Sequence, residues 1–364
     1  MLKTLLQDRK LAVMIGVALL IKLFSANERW VETYYTYGLY PLLSRSLRAL
    51  FGWLPFSLGD IVYCTAAFYL IMKTWKLLRV LAKRQVKAYL SRILFRKFLK
   101  LVLGVYIVFN VFWGLNYNRL GVASQLGLDV KPYSQSDLFD VTQLLQQRLN
   151  FYAAKEDTVA RLRLTGLTLL KREGIKNYKA VAQEFPFLHY KTASIKKSMF
   201  SAIAHLFGFT GYFNPFTGEA QMNSEEPVFL KPFVVNHEMA HQLGYAKENE
   251  ASFVAYLACK RSANSAFRYS VYYELYYNAL YEFRMMGDTA SQRVLGTSLH
   301  PRVKRDKRQE IQYRLGKKNK ISPYVTDFYD GYLKLNNQPK GLATYNEVIA
   351  WLIAYVKKNG AGAI

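Results

Sequence analysis

The chain has 364 residues, 51% of them hydrophobic and 15% aromatic, with a mean hydropathy of -0.03; this is too apolar for a disordered chain and too mixed for a polytopic transporter, and it suits a few membrane spans joined to a folded domain. The net charge of +25 raises the question of nucleic acid, but many basic residues lie beside apolar runs rather than in a basic, aromatic reading surface, so no nucleic-acid partner is expected. Cys64, in an apolar run, and Cys259, in a predicted helix, imply no disulfide framework.

Leu11 to Phe24 (LAVMIGVALLIKLF) follows a basic head of Lys3, Arg9 and Lys10. It is short for a bilayer core of roughly 20 apolar residues, and Lys22 interrupts it, although a lysine near one end can snorkel. A cleaved signal peptide is the rival reading. Its small-x-small cleavage pattern is poor in LFSAN, so a retained span over about 11–26 is expected. Leu54 to Met72 carries one charge, Asp60, near its start, and predicts a second span over about 54–74. Asp60 there reads as an interfacial residue, with a buried functional acid as the alternative. Leu99 to Tyr117 is the clearest span, with Lys100 at its start and Trp113 and Tyr117 as an aromatic belt at the far interface.

From Lys73 to Lys100 there are ten Lys/Arg and no Asp or Glu. Short basic loops stay cytoplasmic, and Leu77, Leu78 and Leu81 at helical spacing predict a loop lying along anionic headgroups, with membrane lipids as partner. A plain solvated loop gives the same orientation. The N-terminus is then inside, and Ser25 to Trp53 is a loop outside. Residues 1–117 form the membrane region, and 118–364 form an extracytoplasmic domain, periplasmic in a cell with two membranes.

The second part reads mainly α. Ser136 and Asp137 can cap a helix running to about Ala154, and Asp157 opens another that closes at Gly174. Ser194 to Phe207 predicts a third helix, stopped by Gly208. Gly208 to Pro227 partly alternates and carries a Pro-Phe-Thr-Gly turn, which predicts a β-hairpin or extended pair. Helices resume near Phe233, and Tyr345 to Lys358 is amphipathic and too short for a fourth span.

The stretch VVNHEMAHQLGYAKENEASF (Val234 to Phe253) carries the chemistry. Residues i and i+4 share a helix face, so His237 and His241 can grip one ion, and Glu238 reaches the open coordination position. Gly244 can end that helix in a left-handed cap, after which KENEASF opens a new one. A catalytic zinc needs a third protein ligand, and Glu248 and Glu250 are both candidates, Glu248 being favoured by spacing. The other would hold the free N–H of a histidine. HExxH also occurs by chance on solvated surface helices, and an intact zinc site need not turn over. Tyr212, Asn214 and Glu219 are candidates for the substrate cleft. His205 reads as a core histidine, His189 and His300 lack partners, and Tyr272, Tyr273, Tyr276 and Tyr277 read as core packing.

PFSLGDIVY (Pro55 to Tyr63), FWGLNYNR (Phe112 to Arg119), GYFNPFTGEAQMN (Gly211 to Asn223), NHEMAHQLGYAKENEASFVAYLA (Asn236 to Ala258) and YLKLNNQPKGLATYNEV (Tyr332 to Val348) together make the chain resemble a bacterial membrane family of unknown function, the domain of unknown function numbered 3810. The resemblance implies N-terminal spans and a zincin-like helical metallopeptidase domain holding Zn2+. Its matching positions are His237, Glu238, His241 and the Glu248/Glu250 pair. Members typically read EAN where this chain has Glu250, Ala251 and Ser252. The function expected is a membrane-anchored zinc metallopeptidase that hydrolyses a peptide or protein substrate with a zinc-activated water and Glu238 as general base. The alternative is a non-catalytic sensor or assembly factor with a structural zinc. Intramembrane proteolysis fits poorly, because the flanks SEEPVFLKP and GYAKENE are too polar for a span.

Overall fold

In the computed structural model, residues 8–82, 92–204, 208–316 and 322–364 are described; His205 and the centre of the basic loop lie outside these residues. The chain is mainly helical, with one small sheet.

Three long helices come first: α1 (Arg9–Ser25), α3 (Leu58–Ala82) and α4 (Arg92–Phe112). α1 and α4 pack side by side in the same direction, since Asp8 pairs with Lys100 at 2.6 Å, Gly104 lies against Met14, and Ile21, Phe24 and Phe109 join one cluster at the far end. The chain leaves the domain at the start of α3 and returns at the end of α4. Many large apolar side chains on these helices are exposed, among them Leu20, Leu23, Phe68, Ile71, Phe98 and Val105. Among the described residues no single helix is long and apolar enough to cross a membrane. One bent pair, Arg9–Ser25 with Glu28–Phe51 at 97°, has the length and composition of a broken span. Asp60 and Lys73 in α3, and Arg92, Arg96, Lys97 and Lys100 in α4, weigh against those two helices. α4 ends earlier than Tyr117, because Trp113 leaves helical geometry and Gly114–Asn118 forms a tight 3-10 turn.

The segment expected as an outer loop, Ser25 to Trp53, is helical instead. Glu28–Trp30 leads into a π-helical stretch, Val31–Leu39, and then α2 (Tyr40–Phe51). Tyr35, Tyr40, Trp113, Leu115, Tyr117 and Ala246 form one buried cluster, so residues on both sides of Tyr117 share a core. This long-range packing, and not local periodicity, makes the segment ordered.

In the second part, Ser134 and Asp137 form a reciprocal capping box at the start of α5 (Gln135–Lys155). Asp157 caps only the short turn Thr158–Leu162, and α6 (Leu167–Val181) runs straight through Gly174. The expected stop fails there because the missing side chain admits Met239: a Cβ on Gly174 would lie 2.9 Å from Met239 Sδ. The expected helix from Ser194 to Phe207 does not begin at Ser194, and its last residues, 205–207, lie outside the described residues. Ile195–Lys197 forms β1, whose pairing parallel to β3 (Glu219–Met222) overrides the local preference. β2 (Gly211–Asn214) pairs antiparallel with β3, as the hairpin expectation had it, giving the sheet order β1-β3-β2 with β2 at an edge. The sheet packs on α7 (Lys231–Gln242), which is followed by α8 (Glu248–Cys259), α9 (Ser265–Met285), α10 (Thr289–Thr297), α11 (Pro301–Gly316), α12 (Ser322–Leu335) and α13 (Val348–Asn359). Tyr272, Tyr273 and Tyr276 are core residues on α9.

Candidate metal centre and cleft

Every residue of α7 and of α8 is buried. A helix buried on all sides is ordinarily apolar all round, yet these carry His, Glu, Asn and Gln, and buried polar groups are costly unless partnered. Most are partnered. The Gln242 side-chain amide donates to the carbonyls of Ser194 (2.8 Å) and Gly218 (2.7 Å), and the Asn236 amide donates to Pro232 O (2.7 Å). At its C-terminal end α7 is gripped by α2: Tyr40 donates to His241 O at 3.2 Å and Ser44 to Gln242 O at 2.8 Å. At its N-terminal end Phe233 N donates to Ser270 Oγ at 3.0 Å.

Gly244 then turns the chain, with φ +90, a backbone conformation that a side chain disfavours. A Cβ there would also lie 2.9 Å from both Asn116 Oδ1 and Tyr40 Cε1. The turn brings the start of α8 back over α7. One ligand atom each from His237, His241 and Glu248 then lies within 4.8 Å of the others, all three residues buried. Glu248 Oε2 is 3.0 Å from His237 Nε2 and 3.5 Å from His241 Nε2. The other ring nitrogens are held from behind. His241 Nδ1–H donates to Tyr245 O at 2.7 Å, and His237 Nδ1 lies 3.2 Å from Ser252 Oγ. Both Nε2 atoms are therefore aimed at the carboxylate, as a shared ion requires.

Glu250, the alternative ligand, is not in this group and holds neither histidine. Ser252 and the Tyr245 carbonyl fill the role that had been expected of it. Glu250 faces Arg119, whose guanidinium pairs with Glu32 at 3.1 Å, donates to Gly244 O at 3.2 Å and lies 4.4 Å from the Tyr245 ring centre. That buried cluster ties the π-helical stretch to the α7–α8 turn.

The electrostatics separate two carboxyls placed close together. Burial pushes the Glu238 carboxyl up to about 8, with His241 opposing and Glu248 adding to the rise. Burial acts on Glu248 in the same sense, but the charge of His241 and the hydrogen bonds from both imidazoles hold it well below the ordinary carboxylate range. Burial lowers His237, whereas on His241 the same burial is outweighed by Glu248, which lifts it to about 9. Two acids driven apart in this way can act one as ligand and the other as proton carrier. Glu238 Oε2 has no hydrogen-bond partner among the described residues.

His237, Glu238, His241 and Glu248 all line one cavity of about 1140 Å³. Its wall includes the edge strand β2. Gly211 lies so close to Glu238 that a Cβ would be 2.7 Å from Glu238 Oε1. Trp113 packs edge-on to His241 (6.0 Å between ring centres), and the Tyr345 ring is stacked over His237 (6.3 Å).

Of the three cleft candidates only Tyr212 lines this cavity. Its hydroxyl bonds Asp60 and Ser198 Oγ, so it is committed to the wall. Asn214 accepts from Phe216 N (3.0 Å) and Thr217 N (3.2 Å), shaping the hairpin turn. Glu219 is fully buried and accepts from Gly59 N (2.6 Å) and Leu58 N (3.1 Å), placing its charge at the N-terminus of α3. Asp60, read as interfacial, is buried and also accepts from Met199 N at 2.7 Å.

Two contributors were not singled out in the sequence, although Gln338 lies within the stretch Tyr332 to Val348 that carries the family resemblance. Tyr329 on α12 donates to Glu248 Oε1 at 3.1 Å, and Gln338 Oε1 accepts from Glu248 N at 3.0 Å. Both come from about 80–90 residues downstream.

Neither a curated protein nor a solved structure matches the chain. The family described as "Protein of unknown function (DUF3810)" matches residues 35–353, a range that takes in the triad, the hairpin, α12 and the last two long N-terminal helices, and the chain belongs to that family.

Proposed function

We propose that the protein is a membrane-anchored, zinc-dependent metallopeptidase with its site on the outer side of the cytoplasmic membrane. The observation that carries this is the convergence of His237, His241 and Glu248 on one point beside the cavity-lining Glu238. Two imidazoles and one carboxylate suit zinc, and three protein ligands facing a cavity are the pattern of catalytic sites, whereas structural sites close with four. An ion held there would supply Lewis acidity, polarising a carbonyl and easing ionisation of water near neutral pH.

The protein's own groups supply the rest. Glu238, whose ionised form a cation held there would favour, would take a proton from the attacking water and pass it to the leaving nitrogen, the C–O bond forming first and the C–N bond then breaking. β2 offers its unpaired edge to an extended peptide, which would add as a fourth strand. Gly211 lets that strand run close to Glu238. The rings of Trp113 and Tyr345 wall the histidines from bulk water.

The membrane reading rests on other features. α1 and α4 run in one direction and α3 begins at the domain, so all three have an end at the domain, as an in-out, out-in, in-out path requires. Their exposed surfaces are largely apolar, more than a soluble surface ordinarily shows. Lys73, Lys76 and Arg79 of α3 and Arg92, Arg96, Lys97 and Lys100 of α4 fall toward the opposite ends of these helices, where anionic headgroups would hold them.

The test is hydrolysis of a peptide library by the zinc-loaded full chain, with and without chelator. Cleavage should vanish on chelation and in Glu238→Gln; cleavage that survives both removes the proposal. A structural zinc would instead leave Glu238→Gln wild-type in the cell while His237→Ala fails.

A further inference from the structure

The walls of the cavity say more about its occupant. Its inner wall is built from the domain-side ends of the long helices, Tyr63 on α3 and Phe109 on α4, with Trp113 just beyond. Its outer rim carries large exposed apolar side chains, Ile203, Tyr324 and Phe328, which line it while remaining 43%, 76% and 79% exposed, with Arg314 as a charged group beside them. On α12 the exposed Tyr324, Phe328 and Leu335 fall at i, i+4 and i+11, one face of the helix, while the opposite face turns Tyr329 toward Glu248. Beyond Tyr63, exposed Phe68, Leu70 and Ile71 of α3 carry apolar surface onward, with exposed Thr65 between, its hydroxyl donating to Ile61 O. Large apolar side chains clustered at a rim carry a solvation cost when they face water, and such exposed patches mark interaction surfaces. Here exposed apolar side chains occur both at the mouth, on α12, and on the outer surface of α3 that starts beside it.

The geometry points to a substrate anchored in the same membrane: a polypeptide whose scissile bond lies in the first residues outside its own transmembrane segment. The extended stretch pairs with β2, and its anchor stays in lipid beside α3 and α12. The reaction is the hydrolysis given above, with water the only co-reactant. This inference rests on the peptidase and membrane readings and adds the class of substrate.

The full chain, loaded with zinc, is reconstituted in phosphatidylethanolamine–phosphatidylglycerol vesicles and given three libraries with the same random nine-residue head. One is free in solution, one is fused directly to a 20-residue Leu/Ala anchor, and one carries a 30-residue polar spacer before that anchor. The spacer library has the same surface concentration, so it separates contact with the rim from simple tethering. Mass spectrometry should show the directly anchored library cut at least tenfold faster than the spacer library, and Phe328→Asp should narrow that ratio. Equal cutting of all three overturns this inference and leaves the peptidase reading standing. Cutting of none overturns the peptidase reading and the inference with it. Failure of the chain to float with the vesicles overturns the membrane reading.

Discussion

Loading of the candidate centre should cost one proton, and that proton sits on His241. With a chelator present, Glu248 lifts His241 to about 9, while burial holds His237 below its ordinary value and Glu248 is an anion. A ligand must offer a lone pair, so at neutral pH a cation has to displace the His241 proton. Glu238, at about 8, could release a second proton as the cation arrives, so the measurement uses Glu238→Gln. Zinc affinity should then rise close to tenfold per pH unit between about pH 6 and pH 7. Glu238 itself adds to the rise of His241, so in this variant affinity at pH 7 lies at most roughly 100-fold under its alkaline limit, or about 2.7 kcal/mol at about 1.36 kcal/mol per unit. Competition against a chromophoric chelator gives the slope, and calorimetry in two buffers of different ionisation enthalpy counts the proton. An affinity that is flat over that window would mean that His241 is already neutral and that Glu248 does not face it, which would refute the geometry.

Other outcomes follow from the same contacts. The chelated protein should lose thermal stability as pH rises from about 6.5 to about 9: the folded value of His241 lies above its unfolded one, so its contribution is complete below 6.5 and gone above 9, and the raised Glu238 acts with the same sign. A melting temperature that holds or rises across that range contradicts this. Ser252→Ala should weaken zinc binding by roughly 10–100-fold with unchanged circular dichroism, because His237 loses its support from behind. Gly244→Ala should cost about 1–2 kcal/mol in denaturant unfolding from its left-handed backbone alone, with the contact to Tyr40 adding to it; a change under about 0.5 kcal/mol would argue against the turn. Arg119→Met should destabilise by roughly 3–5 kcal/mol by stranding Glu32 in the interior, and adding Glu32→Gln should recover part of that loss.

Wherever a local rule was complete in itself, the chain could be read directly. The i, i+4 histidines, the glycine stop and the acidic restart mark α7, its cap and α8, and a residue pair one helical turn apart shares a face in any context. The Pro-Phe-Thr-Gly turn between β2 and β3 is equally local, whereas the helix start expected at Ser136 and Asp137 is capped by Ser134, with Asp137 as its reciprocal partner. The choice of Glu248 over Glu250 depended on how far the Gly244 turn swings α8, which spacing favours without deciding.

What remained was a matter of tertiary contact. Ser25 to Trp53 has no strong local signal and becomes helical through packing of Tyr35 and Tyr40 on Trp113 and on the end of α7. Ile195–Lys197 reads as helix and becomes a strand because β3 offers it a ladder. Gly174 looks like a stop and is an approach point for Met239. Glu219, Asp60 and Tyr329 take their roles from partners more than 80 residues away. Hydrogen-bond geometry and helical period act over a few residues and are written in sequence. Which side chain meets which across a core is set by the simultaneous burial of many elements, and only the folded chain decides it.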